Sequence, residues 1–223
     1  MKIGLIHSTR LVMPYVEAAA APFHSRAIFL HALDEALIVE LAKGQGVTEG
    51  ARRRIAWMAR SLIDAGADRL ALTCSSLSPA VDLIAPELSV LFIKIDTAMI
   101  RAAIDAHRPF VILATNPSTR QPMRLIVEKE SAPKDGPDSV APLSASPSWR
   151  YELLGDAFAA LNRGDSQAHD ATVIDACERL ANADTKILFA QISMARVLPR
   201  LSSTARCHVT TSLDFFATTI GLA

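Results

Sequence analysis

Cys74 closes a short apolar run, Leu70-Ala-Leu-Thr73, and is followed by Ser75-Ser-Leu-Ser-Pro79. An apolar run of this length reads as a buried strand, with Ser78 as an N-cap and Pro79 as the first residue of a helix. A thiol in such a strand-to-helix turn meets backbone N–H groups that stabilise an anion, so Cys74 is the candidate nucleophile or proton-transfer group. His7 ends a second apolar run, Ile3–His7, and is a candidate general base; it equally suits a histidine bonded to backbone at a buried strand end. Ser8, Ser75, Ser76, Thr115, Thr119 and Ser193 also fall at strand ends or turns. Singly each reads as a turn or cap residue, but converging on one cleft they form a set of donors for a small carboxylate. Gln191 follows the run Ile187–Ala190. Its carboxamide hydrogen-bonds a carboxylate or satisfies buried backbone groups, but does not exchange protons near neutral pH.

The remaining cysteines and histidines point elsewhere. Cys177 lies on the stripe Val173, Ile174, Leu180, Ala181, the buried face of a helix. Cys207 and His208 are neighbours near the last apolar run, where a strand would turn them to opposite faces. His24, His31 and His107 have no ligand-like spacing, so no metal site is expected. Arg52-Arg-Arg54 reads as a solvated helix face, and no glycine-rich phosphate loop is present. Lys plus Arg (23) balances Asp plus Glu (23), and aromatics make up 5%, so neither nucleic acid nor a membrane is expected as a partner. No uninterrupted apolar stretch is long enough to span a bilayer, and the three cysteines are too scattered for a disulfide framework. A cytoplasmic protein is the expectation.

The elements that must position these residues alternate along the chain. Runs at Ile3–His7, Ile28–Leu33, Leu70–Thr73, Val90–Ile95, Phe110–Ala114, Ile187–Ala190 and Val209–Thr211 read as strands. Helices are expected at Arg52–Ala65, Pro79–Leu88, Thr97–His107, Trp149–Asn162 and Asp170–Asn182. Residues 131–148 are turn-rich, with Val140–Leu143 as a short strand in a surface excursion. This alternation implies an α/β fold of mainly parallel sheets flanked by helices. A weak repeat is superimposed on it: Ile3–Arg10 and Val111–Arg120 both end in Ser-Thr-Arg, and Ile63 and Leu180 stand equally far before Cys74 and Gln191. Two similar lobes with a ligand cleft between them would set Cys74 opposite Gln191.

In three places the chain resembles the aspartate/glutamate racemase superfamily, which includes hydantoin racemases, maleate isomerases and arylmalonate decarboxylases. Ile3-Gly-Leu-Ile-His-Ser8 is similar to its opening strand, often Ile-Gly-Val-Phe-Asp-Ser. Thr73-Cys-Ser-Ser76 matches its first cysteine motif, commonly Cys-Asn-Thr, and Leu188-Phe-Ala-Gln-Ile-Ser-Met194 stands where Gly-Cys-Thr-His-Tyr would fall. The resemblance implies pseudo-symmetric lobes, residues 1–95 plus 205–223 forming the first and 96–204 the second. It implies chemistry without a cofactor at a carbon next to a carboxylate, with strand-end hydroxyls and N–H groups holding the carboxylate. It also implies a homodimer or higher homo-oligomer, dimers being common among such proteins. In two-cysteine members one thiolate removes the α-proton and the facing thiol returns one.

This chain departs from that pattern. Gln191 replaces the second thiol, His7 stands where an acidic residue is frequent, and Ser193 where a histidine is frequent. Three readings follow. Cys74 acts alone, as in a decarboxylase protonating a planar intermediate on one face or a cis–trans isomerase forming a covalent adduct. Alternatively His7 supplies the second base of a two-base amino-acid racemase. In the third reading the scaffold binds a small anion without catalysis.

Overall fold

The computed structural model describes residues 1–41, 44, 46–132, 147–183 and 185–223. The short strand expected at Val140–Leu143 lies outside them. The first half runs β1 (Lys2–His7), α1 (Met13–Ala20), β2 (Ile28–Leu33), α2 (Ala36–Leu41), α3 (Glu49–Asp64), β3 (Arg69–Leu72), α4 (Pro79–Ile84) and β4 (Leu91–Lys94). The second half runs α5 (Thr97–Asp105), β5 (Phe110–Ala114), α6 (Arg120–Ser131), β6 (Trp149–Leu153), α7 (Gly155–Asn162), α8 (Ser166–Asn182), β7 (Lys186–Phe189), α9 (Ser203–His208), β8 (Val209–Thr210) and α10 (Phe216–Ile220). Two four-stranded sheets result, ordered β2-β1-β3-β4 and β6-β5-β7-β8, and among the described residues every strand pairing in them is parallel.

The central strands are near-continuous apolar runs because helices cover both faces of each sheet. All five residues of β5 are buried, as are Ile3 to His7 of β1. One face of the first sheet packs Ile6, Leu70 and Leu72 on Ile55, Ala59 and Leu62 of α3; the other packs Ile3, Leu5 and Ala71 on Val16 of α1 and Phe216 of α10. The second sheet repeats this, with Val111 and Phe189 on Val173 and Cys177 of α8, and Ile112 and Leu188 on Met123 and Ile126 of α6. Cys177 is therefore core, as its stripe indicates.

Register aligns the two halves more accurately than the Ser-Thr-Arg match. Ile6 of β1 faces Leu72 of β3, and Leu113 of β5 faces Phe189 of β7. Counting outward from these pairs, Ser8 corresponds to Thr115, and Cys74 to Gln191. The second Ser-Thr-Arg sits three residues further on and opens α6, so the repeated triplet marks a helix start in each lobe without being in register.

Several sequence expectations are corrected. Trp149–Leu153 is a strand and not the start of a helix: Trp149, Tyr151 and Leu153 pack on the sheet core with period two, and helix begins only at Gly155. Arg120–Ser131, unassigned in the sequence reading, is a helix burying Met123, Ile126 and Val127. Cys207 and His208 end α9 and do not lie on a strand. Residues 205–223 divide between lobes. Val209–Thr210 pair with β7 in the second sheet, while Phe216, Ile220 and Leu222 pack into the first-lobe core. Ile192 of the second half joins the same first-lobe cluster, tying the lobes beside the cleft.

Gly221 caps α10 in the left-handed region (φ 73°), and a Cβ there would stand 2.0 Å from Arg69 Nη1. Arg69 Nη1 in turn donates to Ile220 O at 3.0 Å. Gly221→Ala is expected to lower the unfolding free energy by more than about 1 kcal/mol, read as a lower urea midpoint at unchanged m-value.

Candidate functional site

In a doubly wound parallel sheet, a crevice opens at the carboxyl ends of two neighbouring strands whose connections run to opposite sides. Here β1 and β3 form that point in one lobe, β5 and β7 in the other. The residues just past these four strand ends meet around a cavity of about 60 Å³ lined by Ser8, Cys74, Ser76, Asn116, Gln191 and Ser193, among others. Ser75 and Thr119 also reach its wall. Thr115 contributes through a hydrogen bond to Gln191.

Cys74 is half-buried at this wall, as the N-cap of the single-turn helix Ser75–Leu77. The Ser8 hydroxyl and the backbone N–H groups of Leu77 and Ser76 all favour its thiolate. Burial outweighs them and pushes the thiol above its ordinary value, and the nearby Asp96 charge adds to that shift. The turn geometry read from sequence is present, but the net effect is a thiol that keeps its proton.

Gln191 occupies the matching place in the second lobe. Its Oε1 accepts from the Thr115 N–H (2.9 Å), the Asn116 N–H (3.1 Å) and the Thr115 hydroxyl (3.2 Å). Three converging donors at a strand end form an anion-binding concavity, filled here by a carboxamide oxygen of the chain itself. Asn116 shapes this loop by accepting from the Ser118 N–H (3.0 Å) and hydroxyl (2.8 Å). Since Ser118 commits its proton to Asn116, the 2.7 Å contact between the Ser76 and Ser118 oxygens is a hydrogen bond donated by Ser76 across the cleft. Thr119 is buried, donates to Asn116 O at 2.9 Å, and lies 2.7 Å from the Tyr151 hydroxyl, so it supports the loop.

His7 is placed differently from a cleft base. It is fully buried, and both ring nitrogens are engaged. Thr73 donates its hydroxyl proton to Ile6 O (3.1 Å), so its oxygen accepts from His7 Nδ1–H (2.8 Å). His7 Nε2 then accepts from His31 Nδ1–H (2.9 Å), and His31 Nε2 lies 2.6 Å from Glu17 Oε1. This polarity assigns the proton of neutral His7 to Nδ1. Burial, reinforced by His31, drives the His7 pKa down to about 4, so the ring is neutral at physiological pH.

Asp96 is the residue sequence reasoning missed. It follows the run Val90–Ile95 and lies wholly buried at the start of α5. Burial raises its pKa to about 7, against the pull of the Ser75 and Ser212 hydroxyls. Its signal was positional: a carboxylate directly after an expected strand, like the other strand-end residues. Asn116 was legible only as the residue that halts a strand before Pro117. Among the described residues no group of three or more His, Cys, Asp or Glu side chains could hold a metal ion, and no helix is long and apolar enough to cross a membrane.

The family model described as Asp/Glu/Hydantoin racemase matches residues 3–218. Aspartate racemase from Picrophilus torridus superposes with a TM-score of 0.69 at 11% identity, covering 99% of this chain and 94% of that one. Allantoin racemase from Klebsiella pneumoniae gives 0.66 at 16% identity, with 99% and 86% covered. A variant of arylmalonate decarboxylase associated with sulfate gives 0.59 at 18% identity, with 100% and 93% covered. No curated protein matches the chain in sequence.

The buried groups make opposed contributions to stability. The His7 pKa falls from 6.5 to about 4 on folding, so its contribution is present above pH 6.5 and lost as pH falls toward 4. That loss is on the order of 3 kcal/mol. The Asp96 pKa rises from 3.8 to about 7, so its contribution is present below 3.8 and lost as pH rises toward 7. His7→Gln removes the first effect alone. Urea unfolding across pH 4 to 6.5 should then show stability rising less with pH, or falling, compared with the parent chain. An unchanged slope would show that His7 titrates normally in the fold.

Proposed function

The chain belongs to the Asp/Glu/hydantoin racemase family, and from that premise we propose that it is a cofactor-independent enzyme acting at the carbon beside a carboxylate of a small substrate. Cys74 is the proton-transfer group. The donors of Thr115 and Asn116, with Ser8, Ser76 and Ser193, hold the carboxylate and the enediolate-like charge that develops from it. Gln191 leaves the anion site when substrate enters and bonds it from the side where a second thiol would act. The observation that carries this reading is one small cavity walled by a thiol on one lobe and an oxygen-filled N–H concavity on the other.

The state of the thiol favours one chemistry among those open to a single cysteine. A thiol held protonated is suited to giving a proton rather than to abstracting one or adding to a double bond. In a malonate-type substrate the C–C bond to one carboxylate breaks and carbon dioxide leaves. The electron pair remains on carbon as an enediolate, Cys74 donates its proton to one face, and solvent reprotonates the thiolate. A two-base racemase using His7 is disfavoured, since that ring is buried with both nitrogens engaged. Three free cysteines suit a reducing, cytoplasmic setting.

Cys74→Ser should lower solvent deuterium incorporation by at least about 100-fold when small malonates, amino acids, hydantoins and maleate are tested as substrates. Anion binding by the parent chain with no deuterium incorporation from any of them would mark a non-catalytic binding protein. Gln191→Cys restores a facing thiol and should introduce racemisation of a chiral product, followed by chiral chromatography.

A further inference from the structure

Beneath the cavity wall, Cys74, Ser75, Asp96 and Ser212 form a cluster that the proposed chemistry does not use in full. Asp96 is 0% exposed and has no cationic partner among the described residues; the Ser75 and Ser212 hydroxyls pull on its carboxylate without closing hydrogen bonds of good geometry. Ser75, the residue directly after the thiol, is itself buried. Ser212 approaches from the turn after β8, which packs on α5. A buried carboxylate without a counter-ion is costly, and titratable groups of this kind cluster at functional sites.

The charged groups on the surrounding elements are committed elsewhere. Lys94, two residues before Asp96, binds Asp82. Arg101 of α5 pairs with Glu130 of α6 at 2.8 Å, and Arg124 with Glu128 at 2.6 Å. Lys129 lies 3.7 Å from Asp82, and Arg120 lies over the Tyr151 ring. Asp214, on the turn carrying Ser212, caps Thr211. Arg69 of β3 donates to Ile220 O. Leu72 of β3 pairs with Lys94 of β4, so Cys74 and Asp96 each stand two residues past paired positions at the ends of adjacent strands, and the Asp96 charge adds a small part to the upward shift of the thiol.

We propose that Asp96 is the positioning residue for Cys74: a carboxylate buried at the neighbouring strand end without a counter-ion, it opposes a second negative charge at the thiol and helps to hold the thiol in its proton-donating form. Like charges sharing a desolvated site cannot both ionise readily. With Asp96 ionised, the thiolate forms only at high pH. Cys74 therefore recovers its proton from solvent after each transfer.

The proposal rests on Cys74 being the proton-transfer group, but it is read at the sulfur and not through turnover. The rate of iodoacetamide alkylation at Cys74 is followed across pH by mass spectrometry of the Cys74 peptide, using the full chain. In the parent chain the midpoint should lie above that of a free thiol; a midpoint at or below it overturns the proposal. Asp96→Asn keeps the shape and removes the charge, and should lower the midpoint. Asp96→Ser, read the same way, serves if the asparagine variant does not fold. An unchanged midpoint in a folded variant overturns the proposal, because a merely structural Asp96 would leave it in place. If the midpoint falls while Cys74→Ser leaves deuterium incorporation intact, the electrostatic pairing stands and the assigned function fails. If Cys74→Ser abolishes incorporation while the midpoint does not move, the function stands and the pairing fails.

Discussion

Parallel strands expose no edge hydrogen bonds to a ligand at their centre, but they leave groups uncovered at their carboxyl ends. Where two paired strands send their connections to opposite sides of a sheet, those ends cannot be covered by either connection. The pairings of β1 with β3 and of β5 with β7 meet this condition, and the cavity exists because the two such points face one another. The buried apolar runs of these strands set the register, and the register decides which residues emerge at the cleft. Cys74, Ser8, Thr115 and Gln191 each follow a central strand by one or two residues. A shift of one residue would turn the thiol into the core.

The equivalence of the two lobes is structural but not chemical. In the first, a thiol receives N–H donors and a serine hydroxyl; in the second, a carboxamide oxygen receives two N–H groups and a threonine hydroxyl. Similar backbone thus presents a proton donor on one side and a proton-inert acceptor on the other. The Ser76–Ser118 bond and the packing of Ile192 in the first-lobe core hold these walls together. The small cavity is the consequence, and it suits a substrate of few atoms or one whose entry displaces Gln191.

Burial governs the charges here more than proximity does. The imidazole of His7 loses its proton, Asp96 keeps its own to unusually high pH, and Cys74 resists ionisation despite donors aimed at it. In each case desolvation is the largest cause, as expected where water has been replaced by apolar side chains. A strand-to-helix turn favours a thiolate only when the sulfur remains solvated enough for the local dipoles to prevail.

The sequence alone determined the central strands, the principal helices from Arg52 to Asp105, and the places where Cys74 and Gln191 emerge, because apolar periodicity and caps are local. It misread Trp149–Leu153, whose alternation spans only five residues and precedes a helix. It gives no element over α6 and leaves His7 open between a cleft base and a histidine bonded at a buried strand end. The tertiary structure decided the rest. Whether His7 faces the cleft or Thr73, whether Asp96 has a counter-ion, and whether the Cys74 turn is wet enough for a thiolate depend on side chains far apart in the chain. Local pattern locates a titratable group, but its protonation is a property of everything packed around it, and that is known only once the lobes have closed.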